Sequence, residues 1–304
     1  MDVVTGSFGY IGKYITKHLL DLGKEVRTIT THPNKPNPFG ARVKAFPYNF
    51  EDPTGLISSL AGATTLYNTY WIRFAYKDLT YQKALENTRT LFQCAQQAGV
   101  KKIVHISVTQ ASIDSDLPYY NGKGLQERML AELGISHAII RPTLVFGKED
   151  ILVNNIAYLI RRFPLFPIFG SGDYRIQPVF VEDLARIAVA QADETGDSII
   201  DAIGPETFIF KDFLNLVTST MGCNTRLIHL SPSLGIFLGK MISIFLRDVL
   251  LTENELRGLM EEKLISTQIP NGTTTFTSWL IQNKETIGRS YSSEIARHFK
   301  WSAY

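Results

Sequence analysis

Two spacings in this chain could do chemistry. Thr5-Gly6-Ser7-Phe8-Gly9-Tyr10-Ile11-Gly12 carries glycines at G-x-x-G-x-x-G. Gly6 permits a tight turn, Gly9 lets bare backbone approach a ligand, and Gly12 lets a helix sit close against its sheet. Amides at such a helix start face an anion, so the chemistry is the holding of a pyrophosphate. The second spacing is Tyr119-Tyr120-Asn121-Gly122-Lys123, whose first and last residues share a helix face. An ammonium beside a phenol favours the phenolate and draws its pKa from about 10 toward the range of a general acid/base. Tyr120, three residues from Lys123, would do the same work if the register slipped.

Positioning these groups takes an alternation of strands and helices. Strand patterns begin at Val3-Val4 and continue at residues 25–30, 43–46, 64–68, 102–107 and 138–141. Between them lie helix patterns at 10–22, stopped by Gly23, at 53–60, and at 79–98. The last of these puts Leu85, Thr88, Leu91, Phe92 and Ala95 on one face before Gly99. Such alternation predicts an α/β fold, a Rossmann doubly wound parallel sheet. After Gly147 the rhythm changes to RRFPLFPIFGSGDYRIQP, while a helix at 182–192 and a strand at 198–202 return to the first lobe. The expected division is 1–147 plus about 178–205 for the nucleotide-binding lobe, with 148–177 and 206–304 forming a smaller, mostly helical C-terminal lobe. That lobe should close over the end of the sheet, and ligands of such sheets bind beyond the carboxyl ends of the strands.

Composition narrows the partners. The chain has 304 residues, 44% hydrophobic and 20% charged, which excludes disorder as its main state. Lys plus Arg is 31 against 29 for Asp plus Glu, a net +2, and no nucleic-acid partner is expected. The basic pairs Lys101-Lys102 and Arg161-Arg162 read as solvated faces. Cys94 and Cys223 are too few for a disulfide scaffold, and no metal-ligand spacing occurs. Met1-Asp2-Val3-Val4-Thr5-Gly6 has neither a basic n-region nor an apolar h-region, which predicts a chain kept in the cytoplasm. The apolar run at 234–251, LGIFLGKMISIFLRDVLL, carries Lys240 and Arg247, so no transmembrane span is expected. It reads as a helix buried between lobes or subunits, with peripheral membrane contact as the alternative. Oligomeric state is open.

A dinucleotide site preferring NAD places an acid about 20 residues after the glycines, to hold the ribose 2'-hydroxyl. Here the second strand runs Arg27-Thr28-Ile29-Thr30-Thr31-His32-Pro33-Asn34-Lys35, without an acid. Hydroxyls and the Lys35 ammonium would attract a 2'-phosphate that a carboxylate would repel, so NADP(H) is favoured over NAD(H). The alternative is a solvated Lys35 and a site that takes either.

The TGSFGYIG loop, Asn87 in ENTRTL, the strand-ending HIS, Tyr119 with Lys123, RPTLVFG and QPVFVEDLA occur in an order that resembles the extended and atypical short-chain dehydrogenase/reductases, the NAD-dependent epimerase/dehydratase family. The likeness covers about residues 1–190. Arg141-Pro142 with Val145-Phe146-Gly147, then Gln177-Pro178-Val179, is similar to the branch containing an NADPH-binding accessory subunit of respiratory complex I and its prokaryotic relatives. The resemblance implies coenzyme contacts at Gly6, Ser7, Phe8, Gly9, Tyr10 and Ile11 in the loop. It implies others at Thr31, His32 and Lys35 after the second strand, at Asn49 and Phe50 on the adenine side, and at Asn68, Thr69 and Tyr70 after the fourth strand. Ile106, Pro142 and Leu144 complete the set, with Lys123 on the nicotinamide ribose.

Catalysis on this pattern falls to Tyr119 as acid/base, Lys123 as its tuner and Ser107 as the group that orients the substrate oxygen. The family commonly follows that serine with a second hydroxyl residue, but Val108 stands here, so either Ser107 or Thr109 substitutes or the donor is absent. Gly122 and Gly124 flank the lysine, at about 1 kcal/mol each in helix propensity. Asn87 reads as a brace for its helix, with a water-positioning role as the alternative. His105 reads as a satisfied core histidine, and Asp183 as a helix cap.

The expected function is NADP(H)-dependent hydride transfer at a secondary alcohol or ketone of a small substrate, or an epimerisation passing through one. The aromatic stretch 163–169 and the run 234–251 suggest an apolar substrate. The alternatives are a non-catalytic NADPH-bound module of a larger, membrane-associated assembly, and a redox-sensing regulator.

Overall fold

The protein is described by a computed structural model covering residues 1–231, 233–234, 248–249 and 252–298. The apolar run at 234–251 lies outside the described residues apart from Leu234, Asp248 and Val249, so the expectations placed on it go no further.

Residues divide into two compact units: Met1–Pro142 with Val181–Ala202, and Thr143–Phe180 with Ile203–Tyr304. In the first unit seven parallel strands are ordered β11-β6-β5-β4-β1-β2-β3. They are β1 (Asp2–Thr5), β2 (Val26–Thr30), β3 (Val43–Pro47), β4 (Thr65–Asn68), β5 (Lys102–Ile106), β6 (Ser136–Pro142) and β11 (Ser198–Ala202). The order reverses direction at β1, where β2 lies on one side and β4 on the other. This is the doubly wound arrangement, and ligands of such sheets bind at that switch point.

Central strands of a sheet covered on both faces read as unbroken apolar runs. β1, β4 and β5 are buried along their whole length. The covering helices form two packed groups, α1 (Tyr10–Asp21) with α6 (Val181–Ala190), and α2 (Pro53–Leu60), α3 (Tyr81–Gln97) and α4 (Pro118–Glu132) in succession. Val3, Leu66, Ile103 and Ile139 of the sheet pack with Leu56 and Leu60 of α2 and Leu91, Phe92 and Ala95 of α3. Thr80 caps α3 by accepting from the Lys83 amide, and Asp52 caps α2 by accepting from Gly55. The connections place Gly6, Thr69 and Ser107 just past the carboxyl ends of β1, β4 and β5.

Two basic residues are better partnered than a solvated face allows. Lys102 is buried, and its ammonium donates to the carbonyls of Glu194 at 2.6 Å and Gly196 at 3.3 Å, closing the turn before β11. In the second unit Arg161 donates to the carbonyls of Ile287, at 2.9 Å, and Lys284.

Among the described residues, the second unit mixes short strands with its helices. Three two-stranded sheets pair β7 (Leu144–Phe146) with β10 (Pro178–Phe180), β8 (Leu165–Phe169) with β13 (Arg226–Leu230), and β9 (Arg175–Ile176) with β12 (Phe208–Ile209). They accompany α5 (Leu152–Arg162), α7 (Phe210–Thr220) and helices at Glu253–Met260 and Phe276–Asn283. Phe146, Phe213, Phe276 and Trp279 form the centre of its core, with Phe213 and Phe276 centroids 4.6 Å apart. Of the aromatic stretch 163–169, Phe166 and Ile168 are spent in this core, whereas Phe163 and Leu165 are exposed.

Candidate functional site

The glycine loop opens with Gly6 in the left-handed region at φ 67°. Its amide donates to Ile29, and the Gly9 amide closes a turn onto the Gly6 carbonyl at 2.8 Å. A Cβ at Gly12 would stand 2.4 Å from the Gly6 oxygen and 2.9 Å from that of Thr5, so only glycine lets α1 start this close. α1 begins at Tyr10 with no side-chain cap and no acid in its first turn. An uncapped helix start held this close to the end of β1 fits an anion such as a pyrophosphate. Tyr10 and Ile11 are half-buried in the first turn and Phe8 is buried. Ser7 contributes differently from a phosphate ligand. Its amide donates to Thr28 Oγ1 and its hydroxyl accepts from Thr16 Oγ1 at 2.7 Å, all of it buried.

At the same edge, Thr69 is tied to Thr5 twice, amide to Oγ1 and Oγ1 to carbonyl, each at 2.6 Å. Asn68 accepts from the Tyr70 amide, and its Nδ2 lies 3.0 Å from His105 Nδ1. Past β2, Thr31 is exposed while His32 and Lys35 are half-buried in a turn closed by the Lys35 amide onto the His32 carbonyl. Past β3, Asn49 is exposed at φ 48°, a region asparagine tolerates better than most residues. Phe50 stacks on Tyr48 at 4.9 Å, and both rings meet Tyr70 within 5.2 Å. The hydroxyl of Tyr70 accepts from Asn87 Nδ2 at 2.8 Å, which makes Asn87 a brace between α3 and this ring cluster. Tyr48 escaped the sequence reading, although its spacing in Tyr48-Asn49-Phe50 was a usable signal.

On α4, Pro118 takes the first helical position, and Tyr119, Lys123 and Glu127 follow at four-residue intervals. Lys123 is buried, and its Nζ donates to the Ile106 carbonyl at the end of β5 at 2.7 Å. Burial pulls its pKa down to about 7, against the opposing pull of the Glu127 carboxylate. His105 is also held well below its ordinary value, first by burial and then by the charge of Lys123. Its Nε2 has no hydrogen-bond partner among the described residues, so this core histidine is only half satisfied. Tyr119 is half-buried, with its ring 5.6 Å from that of Tyr120. Tyr120 is turned into an apolar cluster with Val108 and Leu117.

Ser107 Oγ donates its proton to Glu127 Oε1 at 2.5 Å, and Arg141 grips the same carboxylate through Nε at 2.9 Å and Nη2 at 2.5 Å. A hydroxyl has one proton to give. Ser107 therefore retains only acceptor capacity toward a substrate. Thr109 is buried, and its amide donates to the Pro142 carbonyl at 3.0 Å. Leu144 lies buried on β7 in the second unit. Glu127, absent from the sequence reading, was signalled by its position one turn beyond Lys123.

No described helix is long and apolar enough to cross a membrane. A subunit of Arabidopsis thaliana, NADH dehydrogenase [ubiquinone] 1 alpha subcomplex subunit 9, mitochondrial, is 22% identical over 216 residues, 67% of this chain and 54% of that protein. The chain spans about half the length of this relative and of its rat counterpart. Among solved structures, Citrobacter sp. triphenylmethane reductase complexed with NADP(H) superposes with a TM-score of 0.76 at 16% identity, covering 93% of this chain and 99% of that one. An Escherichia coli NADPH-dependent quinone oxidoreductase complexed with NADPH gives 0.74 at 21% identity, covering 94% and 99%. These likenesses establish the fold. The NAD dependent epimerase/dehydratase family matches residues 3–200, the stretch that builds the parallel sheet and carries the glycine loop, Ser107, Tyr119 and Lys123, and the chain belongs to that NAD(P)-binding family.

Proposed function

We propose that the protein is an NADP(H)-dependent oxidoreductase or epimerase acting on a secondary alcohol or ketone of a small substrate. The observation that carries the reading is the pairing of Tyr119 with buried Lys123 on one face of α4, at the same sheet edge as the uncapped start of α1. The loop from Gly6 to Ile11 would seat the pyrophosphate, with the amides at the start of α1 facing it. Thr31, His32 and Lys35 would receive a 2'-phosphate, and Asn49, Phe50 and Tyr70 the adenine. Asn68 and Thr69 would shape the wall behind the ribose, with Ile106 and Pro142 toward the nicotinamide. Bound there, the coenzyme supplies or takes up a hydride. Tyr119 Oη exchanges the matching proton with the substrate oxygen. Lys123, when protonated, favours the phenolate and offers donors to a ribose.

A second reading has its own observation. Ser107 has committed its proton to Glu127, and a site without an oxygen-polarising donor suits a module that grips NADPH without turning it over. The similarity to a subunit of an NADH dehydrogenase supports a place in a larger assembly, and in this reading the protein is cytoplasmic or peripheral to a membrane.

Thermal unfolding with NADPH, NADH and neither tests the cofactor, since a ligand at 100 times its Kd adds about 2.7 kcal/mol. Greater stabilisation by NADH overturns the NADP(H) preference. Turnover of a ketone panel that disappears in Tyr119→Phe supports the enzyme. Tight binding without turnover supports the module.

A further inference from the structure

A hydrogen-bond donor stands unspent beside Tyr119. Trp71 follows Tyr70 in the segment between β4 and α3, and its ring centroid lies 6.4 Å from that of Tyr119 and 5.8 Å from that of Tyr81. Lys123 Nζ lies 5.4 Å from the indole, within cation–π range. Gly122 makes this seat, because a Cβ there would stand 2.5 Å from Trp71 Cζ2. The indole nitrogen is buried and has no hydrogen-bond partner among the described residues. An indole N–H can only donate, so an acceptor oxygen brought to it by a ligand would find that donor unspent.

Ser107 is the donor that the family pattern would supply, and its one proton goes to Glu127. The acceptor role of that carboxylate is fixed by the two-pronged grip of Arg141, so the arrangement has no cheap way to release the serine proton. We propose that Trp71, through its indole N–H, holds the substrate's carbonyl or hydroxyl oxygen beside Tyr119. The proposal rests on the reading of the protein as an alcohol or ketone oxidoreductase. It makes Trp71 a substrate-contacting residue and Gly122 the position that lets it stand there. It also removes the objection raised by Val108, since the hydroxyl missing from that position is no longer needed.

The test follows the indole itself. The chain has three tryptophans, so 15N-tryptophan labelling gives three indole N–H resonances, and the one lost in Trp71→Phe belongs to Trp71. If that variant does not fold, Trp279→Phe and Trp301→Phe assign the other two. With NADP+ present, the full chain is titrated with cyclohexanone, acetophenone and 9,10-phenanthrenequinone, and binding is followed independently by saturation-transfer NMR. The expected result is a downfield move of the Trp71 indole proton on saturation with a bound carbonyl probe. Trp71→Phe, which keeps a ring and loses the donor, should bind that probe about tenfold more weakly while binding NADPH as the wild type does. A probe that binds the wild type without moving this resonance, or binds Trp71→Phe equally well, overturns the proposal and leaves the oxidoreductase reading standing. If NADPH binds but none of the three probes does, the oxidoreductase reading falls and the role of Trp71 with it.

Discussion

Glu127 stands one helical turn beyond Lys123, yet its carboxylate is bound to Ser107 and Arg141 while the lysine ammonium goes to the Ile106 carbonyl. Lys123 and Glu127 thus interact only through space, across the low-dielectric interior between α4, β5 and β6. The carboxylate is nearly buried, and the Arg141 side chain is 25% exposed.

Removing the charge from Glu127 should be expensive. Glu127→Gln leaves Arg141 facing an amide, and breaking a fully buried pair costs about 3–5 kcal/mol. Partial exposure of Arg141 discounts that to roughly 2 kcal/mol. The urea midpoint should fall accordingly, and the double variant Glu127→Met, Arg141→Met should lose less than the sum of its singles. A midpoint within error of the wild type would mean that the network carries no stability.

Lys123 should give stability a pH dependence of definite sign. Its pKa falls from 10.5 unfolded to about 7 folded because burial disfavours the ammonium. Between those values the unfolded chain holds a proton that the folded chain has lost, so stability rises with pH across roughly 7 to 10.5. Below about 7 both states are protonated and the full penalty of the buried charge is present. Lys123→Met removes this slope. Urea midpoints at several pH values from 7 to 9.5 should therefore show the wild type gaining on Lys123→Met, and parallel profiles would contradict the assignment. His105 acts with the same sign at lower pH, since its folded pKa lies well below 6.5. The wild type should weaken as the medium becomes acid and the unfolded imidazole takes up its proton.

The sheet was legible because its signals are local. Apolar runs at Val3-Val4 and in β5, with glycine stops at Gly23 and Gly99, need only the neighbouring residues to be read. The glycine loop was legible for the same reason. What escaped were long-range pairings: Ser107 with Glu127, twenty residues on, and Lys102 with the turn at Glu194, across the fold. A hydroxyl or an ammonium advertises chemistry in sequence, and only tertiary structure tells whether a partner has already taken its donor. The aromatic stretch 163–169 is ambiguous in sequence for the reverse reason, since core packing, which takes Phe166 and Ile168, and substrate recognition use the same side chains.

Gly124 illustrates how a local rule is overruled. Helix propensity alone predicts that Gly124→Ala stabilises α4 by about 1 kcal/mol. In the folded protein that Cβ would stand 2.5 Å from the Ser112 carbonyl carbon and 2.6 Å from the Ile113 amide nitrogen, both backbone atoms. Overpacking against backbone costs about 1–3 kcal/mol, so the net effect should be destabilisation by about 1 kcal/mol. A thermal midpoint below that of the wild type is expected, and one above it would mean that the 112–113 segment yields easily.

Lys35 carries the prediction on coenzyme choice. It is half-buried in the turn after β2, and residues 27–35 contain no carboxylate. If its ammonium meets a 2'-phosphate, Lys35→Glu sets a carboxylate against a dianion and should weaken NADPH binding about tenfold or more. NADH has a hydroxyl at that position, which a carboxylate can accept from, so its affinity should hold or rise. Fluorescence titration of both coenzymes against both proteins separates the cases. An equal loss for NADPH and NADH would indicate damage to the turn, and no change in either would place the adenosine away from β2, where Lys35 has no part in choosing the coenzyme.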